Sequence, residues 1–310
     1  MSETNILNTS WFNFPAITLE NERILVTIVP DLGAKIVSLF DKIHRHEWLV
    51  PPMRPPQKTE FGAEFVSQDM GGWDEMMPTI IPCTWNGRVL PDHGEVWNVP
   101  WQVESLAGEV ALSVKGKTLP YELKRSAVLT TPGCLELRYS LIHNGSTPFP
   151  YLWAAHPQFV VGLQTRIVFP PEVKQVVNVV VQDAMWGNPG DRHAWPTAVA
   201  ANGQSLNLDR VRSIEHHACR KFYVPPEQSV GWAGLVDEES GCELHLSWSP
   251  TDLPYLGLWV DEGAYQTHPV AAPEPTTAYY DSLETAIRNG KAPILNPGEE
   301  KHWTLNVILK

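Results

Sequence analysis

Apolar and polar positions alternate strictly along much of this chain. Val110, Leu112 and Val114 interleave with Ala111, Ser113 and Lys115, and Leu135, Leu137, Tyr139 and Leu141 interleave with Glu136, Arg138 and Ser140. A period of two sends the two sets to opposite faces of a pleated ribbon, so both segments are expected as half-buried antiparallel strands. The alternation returns at Leu244, Leu246 and Trp248, at Leu256, Leu258 and Val260, and at Trp303, Leu305, Val307 and Leu309. Strands therefore run from one end of the chain to the other. The opening ITLENERILVTIVP is expected to form a hairpin turning at Glu20 to Glu22, and HNGS, His143 to Ser146, a second turn with Asn-Gly chemistry.

One helix is expected, Ser282 to Asn289. Asp281 is its expected N-cap, Glu284 completes a capping box, Leu283, Ala286 and Ile287 form its apolar face, and Gly290 ends it. The proline-rich stretch Pro51 to Pro56 is expected as a surface loop, and no composition shift or internal repeat marks a boundary. The 310 residues could hold two units, but all-β sandwiches often exceed 200 residues as one, so a single all-β sandwich domain over 1–310 with very little helix is the simplest account.

Composition narrows the partners. The formal net charge of −12 argues against nucleic acid and anionic membrane surfaces, which call for clustered Lys and Arg. The start, MSETNILNTSWFNF, has no basic segment followed by a long apolar run, and no apolar stretch is long enough to span a bilayer, so the cytoplasm is the expected compartment. Cys83, Cys134, Cys219 and Cys242 lack C-x-x-C spacing and are expected as buried or half-buried thiols. His44 with His46 and His216 with His217 are the two histidine clusters, and neither has a third ligand at a recognisable spacing, so no metal is expected. The 13 Trp are mostly core material, Trp101, Trp248 and Trp303 among them.

Three residues stand out against this background: His93 in LPDHGEVWNVPW, His156 in PYLWAAHPQF and Glu274 in VAAPEPTTAYYD. Each lies beside tryptophan, glycine or proline, the setting of a polar group held in a rigid, aromatic-walled pocket. Duller roles exist for all three: a satisfied structural histidine near a strand end, a solvated loop carboxylate, and, for Pro91-Asp92-His93-Gly94, ordinary turn chemistry.

Taken in order, the segments resemble the aldose 1-epimerase family, the galactose mutarotase-like proteins, over nearly the whole chain. LENERILVTIVPDLGAKIVSLFD looks like the family's opening strands, with the turn at Gly33. GGWDEMMPTIIPC and LPDHGEVWNVPW stand in the order and spacing of its sugar-pocket loops. YLWAAHPQF looks like the strand bearing its acid histidine, LGLWVDEG followed by VAAPEP like the strand pair bearing its base glutamate, and ILNPGEEKHWTLNVIL like its last turn and strand.

The resemblance implies a β-supersandwich of mainly antiparallel strands that interconverts the α and β anomers of a sugar without a cofactor. It implies Glu274 as general base and His156 as general acid, with His93 bonding a hydroxyl or the ring oxygen, Asp74 holding other hydroxyls and Trp73 or Trp259 as an apolar wall. The chemistry is consistent with this, because opening a pyranose removes the C1 hydroxyl proton while the ring oxygen is protonated. Three departures are visible. Pro157 and Gln158 follow His156, Glu95, Val96 and Trp97 stand where hexose-phosphate epimerases often carry an Arg, and GGWDE brings two acids to a pocket loop. A free aldose is therefore favoured over a phosphosugar, Arg54 and Arg88 being the cations that could still reach a phosphate. A monomer or homodimer is expected. The rival readings are a noncatalytic sugar-binding or sensing protein on the same fold and, further off, a polysaccharide lyase or a glycosidase using Asp74 with Glu274.

Overall fold

The strands form where the alternation predicts them. In the computed structural model, which describes residues 4–200 and 203–310, Val110–Lys115, Cys134–His143, Glu243–Trp248, Tyr255–Glu262 and Glu300–Leu309 are all β-strands. The first three residues of the stretch read for a targeting signal lie outside the described residues. The expected hairpin joins Phe14–Glu20 to Ile24–Val29, its turn held by the Asn21 carboxamide oxygen, which accepts from the Arg23 and Ile24 amides at 2.9 Å each.

Among the described residues these strands assemble into a 13-stranded and an 8-stranded antiparallel sheet, with three two-stranded ribbons beside them. The chain repeatedly leaves a sheet and returns. The last strand, Glu300–Leu309, lies in the middle of the smaller sheet between Glu243–Trp248 and Cys134–His143. In the larger sheet Ala154–Pro157 is inserted between Trp73–Met76 and Val270–Thr276. One large apolar cluster fills the space between the sheets, with Trp73, Trp153, Tyr139, Trp303 and Leu258 among its members. A smaller cluster, including Phe65, Met70, Ile80, Leu152 and Leu283, lies under the loops on the other face of the larger sheet.

A polar network is sealed inside the main core. Glu75 accepts from Arg125 Nη1 at 2.8 Å, from the Tyr139 hydroxyl at 2.9 Å and from Trp153 Nε1 at 3.0 Å, so its charge is both paired and hydrogen-bonded. The pair GGWDE therefore does not deliver two acids to one loop. Asp74 and Glu75 are adjacent in a strand and must point to opposite faces.

The helix is shorter than expected, Leu283–Arg288, and its N-cap is Ser282, whose side chain accepts from the Thr285 amide. Asp281 instead meets the Lys221 ammonium and the Tyr223 hydroxyl. Leu283 and Ala286 are buried, whereas Ile287 stays exposed. The bend near 143–146 leads to Phe149–Pro150, which pairs with Ile294–Leu295. No helix among the described residues is long and apolar enough to cross a membrane.

Candidate functional site

Register decides which side chains share a face. His156 is paired with Asp74, Ala154 with Thr276, Gly257 with both Tyr223 and Glu274, and Trp259 with both Lys221 and Ala272. Counting by twos from these pairs puts Asp74, His156, Glu274, Trp259, Lys221 and Tyr223 on the face of the larger sheet that is turned away from the main core. The alternate residues, Trp73, Leu258, Phe222 and Ala271, belong to that core.

On this face lies a cavity of about 250 Å³, lined by His156, Lys221, Trp259 and Gln158 from the sheet side and by Phe65, His93, Tyr265 and Asp281 from the loops. The loop wall is tightly built. Asp92 accepts from the Phe65 amide through Oδ2 at 2.8 Å and meets His93 Nδ1 through Oδ1 at 2.8 Å, and the Phe65 and His93 rings stack at 4.0 Å. The His93 ring stands perpendicular to that of His156, with 5.8 Å between centroids. Gly94 lets the loop run against Met77, because a Cβ there would lie 2.1 Å from the Met77 carbonyl oxygen.

Beneath the lining residues His156 and Lys221, Glu274 is fully buried. Its Oε1 is 3.7 Å from His156 Nε2 and has no hydrogen-bond partner, while its Oε2 accepts from Lys221 Nζ at 2.5 Å. Lys221 also meets Asp281 Oδ1 at 2.8 Å, and the Tyr223 hydroxyl donates to that same oxygen at 2.7 Å. The Asp281 carbonyl accepts from the Ile80 and Ile81 amides at 2.8 and 3.0 Å, fastening the loop wall to the floor.

Burial sets the charges. Taking Glu274 out of water pushes its carboxyl up to about 7; Lys221 pulls it down and Asp281 pushes it up again. For Lys221 burial alone would lower the ammonium's pKa, but the Asp281 and Glu274 carboxylates outweigh it and raise the value. One ammonium shared by two carboxylates stays ionised yet cannot fully compensate both. Burial, with the His93 ring and the Lys221 ammonium nearby, holds His156 well below the usual imidazole range.

Of the residues singled out in the sequence, His93, His156 and Trp259 line the cavity, and Glu274, which is not in the lining, comes within 3.7 Å of His156. Asp74 is on the same face but fully buried beside Lys35, whose Nζ is 3.3 Å away, and burial pushes it up to about 7. Trp73 is not a cavity wall. As the strand neighbour of Asp74 it points the other way, into the core against Phe159. Arg54 and Arg88 are spent on backbone carbonyls, Val66 and Gln68 for the first and Thr118 for the second. Lys221, Tyr223, Asp281 and Phe65 had not been singled out. For Lys221 a signal existed: ACRKFY is a charged interruption of an apolar strand, in which Arg220 and Lys221 must face opposite ways, and Arg220 pairs with Glu262 on the far side.

The architecture is the galactose mutarotase-like fold. A galactose mutarotase-like protein from Lactobacillus casei matches with a TM-score of 0.70 over 95% of this chain and 100% of its own, at 19% identity. One from Clostridium acetobutylicum matches with a TM-score of 0.69 over 100% and 98%, at 16% identity. A galactose mutarotase related enzyme from Lactobacillus acidophilus gives 0.67 over 95% and 97%, at 17% identity. At such identities the likeness establishes the fold. No family model matches the chain, and no curated protein matches it.

Proposed function

We propose that the protein is a cytoplasmic aldose 1-epimerase-like isomerase that interconverts the α and β anomers of a free aldose, with Glu274 as base and His156 as acid. The observation that carries this reading is the 3.7 Å approach of the buried Glu274 Oε1 to Nε2 of His156, which lines a cavity walled also by Phe65, His93 and Trp259. Anomer exchange needs a proton removed from the C1 hydroxyl and one delivered to the ring oxygen, and nothing else chemically. The unpartnered Oε1 takes the first proton. The His156 imidazolium delivers the second; burial makes that form the minor one, so the active state is the fraction of sites in which the one proton shared by the pair sits on His156 and Glu274 is ionised. The C1–O5 bond breaks, rotation about C1–C2 turns the carbonyl over, and the reversed proton transfers close the ring on the other face. Trp259 and Phe65 offer flat apolar surfaces to the sugar's C–H face, and His93 a polar edge to a hydroxyl.

An uncharged sugar suits the site. Lys221, the cation lining the cavity, already serves two carboxylates, so a phosphate or carboxylate on the substrate would meet net negative charge. The test is NMR exchange spectroscopy between α and β signals across free and phosphorylated aldoses, with wild type beside E274Q and H156A. Acceleration on a free aldose that falls by roughly 10²–10⁴ in either variant is expected. Binding of a sugar with no acceleration would instead make the protein a noncatalytic sugar receptor.

A further inference from the structure

Lys221 has no part in the ring-opening scheme, yet it is held by more ionic contacts than any proton-transfer step requires. Its side chain is 4% exposed and its Nζ lies 2.5 Å from Glu274 Oε2 and 2.8 Å from Asp281 Oδ1. The two oxygens of Glu274 are therefore in different circumstances, Oε2 occupied and Oε1 without a hydrogen-bond partner on the His156 side. The arrangement is supported from behind. Asp281 is fixed by the Tyr223 hydroxyl at its Oδ1 and by the Ile80 and Ile81 amides at its carbonyl. Gly257, paired with Glu274 and Tyr223, leaves the passage open, since a Cβ there would come within 3.3 Å of Lys221 Cε and 3.2 Å of Tyr223 Cζ.

Resting on the reading of Glu274 as the base, we propose that Lys221 is a positioning residue that clamps Oε2 and thereby commits Oε1 to the proton transfer, with Asp281 and Tyr223 anchoring the ammonium. The terminal torsion of a glutamate is broad and nearly two-fold, so an unclamped carboxylate would turn, presenting either oxygen at no fixed angle. It would also be a lone buried charge and would hold its proton to higher pH. The groups that face Glu274 are Lys221 and Tyr223 from one strand, His156 from another and Asp281 from the segment before the helix, with His93 beyond His156 on the loop wall.

The clamp is read directly by a carbon-13 NMR titration of the Glu274 side-chain carboxyl, assigned with E274Q, in wild type, K221M and D281N. In K221M the midpoint rises by about one pH unit or more, as expected when an opposite charge in contact is removed. In D281N it falls, because a negative charge beside Glu274 is gone while the asparagine Oδ1 still accepts from Lys221 and the Tyr223 hydroxyl and keeps the ammonium in place. A K221M midpoint that stays put or drops overturns the proposal, and where circular dichroism shows K221M unfolded, a D281N midpoint that fails to fall overturns it. In exchange kinetics K221M loses kcat by about tenfold or more while KM changes by less than about threefold. Parallel changes in KM would make Lys221 a sugar ligand and refute the positioning role. The titration needs no turnover, so a wild type that exchanges no aldose refutes the base assignment while the clamp is still measured.

Discussion

Replacing Gly94 by alanine perturbs the loop that carries His93 without touching any proton-transfer group. Gly94 has φ +79°, and the added Cβ would lie 2.1 Å from the Met77 carbonyl oxygen and 2.4 Å from its carbon, against 3.4–4 Å for ordinary contact. Both obstacles are backbone, so no side chain can swing aside. The left-handed conformation itself costs an alanine about 1–2 kcal/mol. Opening the gap from 2.1 Å separates the 91–95 loop from Met77 and endangers two backbone bonds, Glu95 N to Met77 O at 2.6 Å and His93 N to Ile80 O at 2.6 Å. Each contributes about 1 kcal/mol net. The sum is a loss of about 3–4 kcal/mol. Equilibrium urea unfolding of wild type and G94A measures it, and sugar affinity should weaken in parallel because the stacked Phe65–His93 wall moves. A loss under about 1 kcal/mol with unchanged affinity would show that the loop relaxes cheaply and that the close approach is not what holds His93 in place.

The proposed base sets the pH dependence. With burial holding Glu274 up to about 7, the carboxylate form is lost as pH falls through neutrality, so the acid limb of kcat/KM is expected near 7, and a limb in the ordinary carboxylate range would contradict the assignment. Trp73 and Trp259 should separate cleanly: W73A leaves a core void and costs about 3–5 kcal/mol in thermal or urea unfolding, whereas W259A weakens sugar binding with a change in stability under about 1 kcal/mol. E75Q removes the carboxylate that compensates the fully buried Arg125 and is expected to destabilise by about 3–5 kcal/mol; an unchanged urea midpoint would mean the network is dispensable.

Much of the fold is legible in the chain because alternation is a local property. A residue two positions along a strand shares its neighbour's face whatever the sheet looks like, which is why Val110–Lys115, Cys134–His143 and Glu300–Leu309 fall where the pattern predicts. The same rule, applied to Trp73 and Asp74, tells that the two cannot share a face, and register with Ile36 and His156 decides that Trp73 takes the core side. Asp281 shows the opposite limit. Next to Ser282 at the start of a helical pattern it has every local mark of a cap, but a buried ammonium and a tyrosine hydroxyl outbid an exposed backbone amide, and both come from a strand nearly 60 positions away, Lys221 and Tyr223.

The candidate site divides along the same line. His93, His156 and Glu274 carry their identity and their unusual glycine, proline and tryptophan contexts in the sequence itself. Their meeting is a tertiary fact. His156 and Glu274 are joined because Ala154–Pro157 is inserted beside Val270–Thr276, and no local pattern specifies which two strands of a large sheet become neighbours. The electrostatics follow from that assembly: only a carboxyl buried by the closed sheet and loops, next to a lysine brought in from another strand, can differ in charge from one oxygen's surroundings to the other's. Composition and alternation determine that this chain is an antiparallel sandwich, and the long-range order of its strands decides that one face of it can hold an acid, a base and a sugar-sized cavity together.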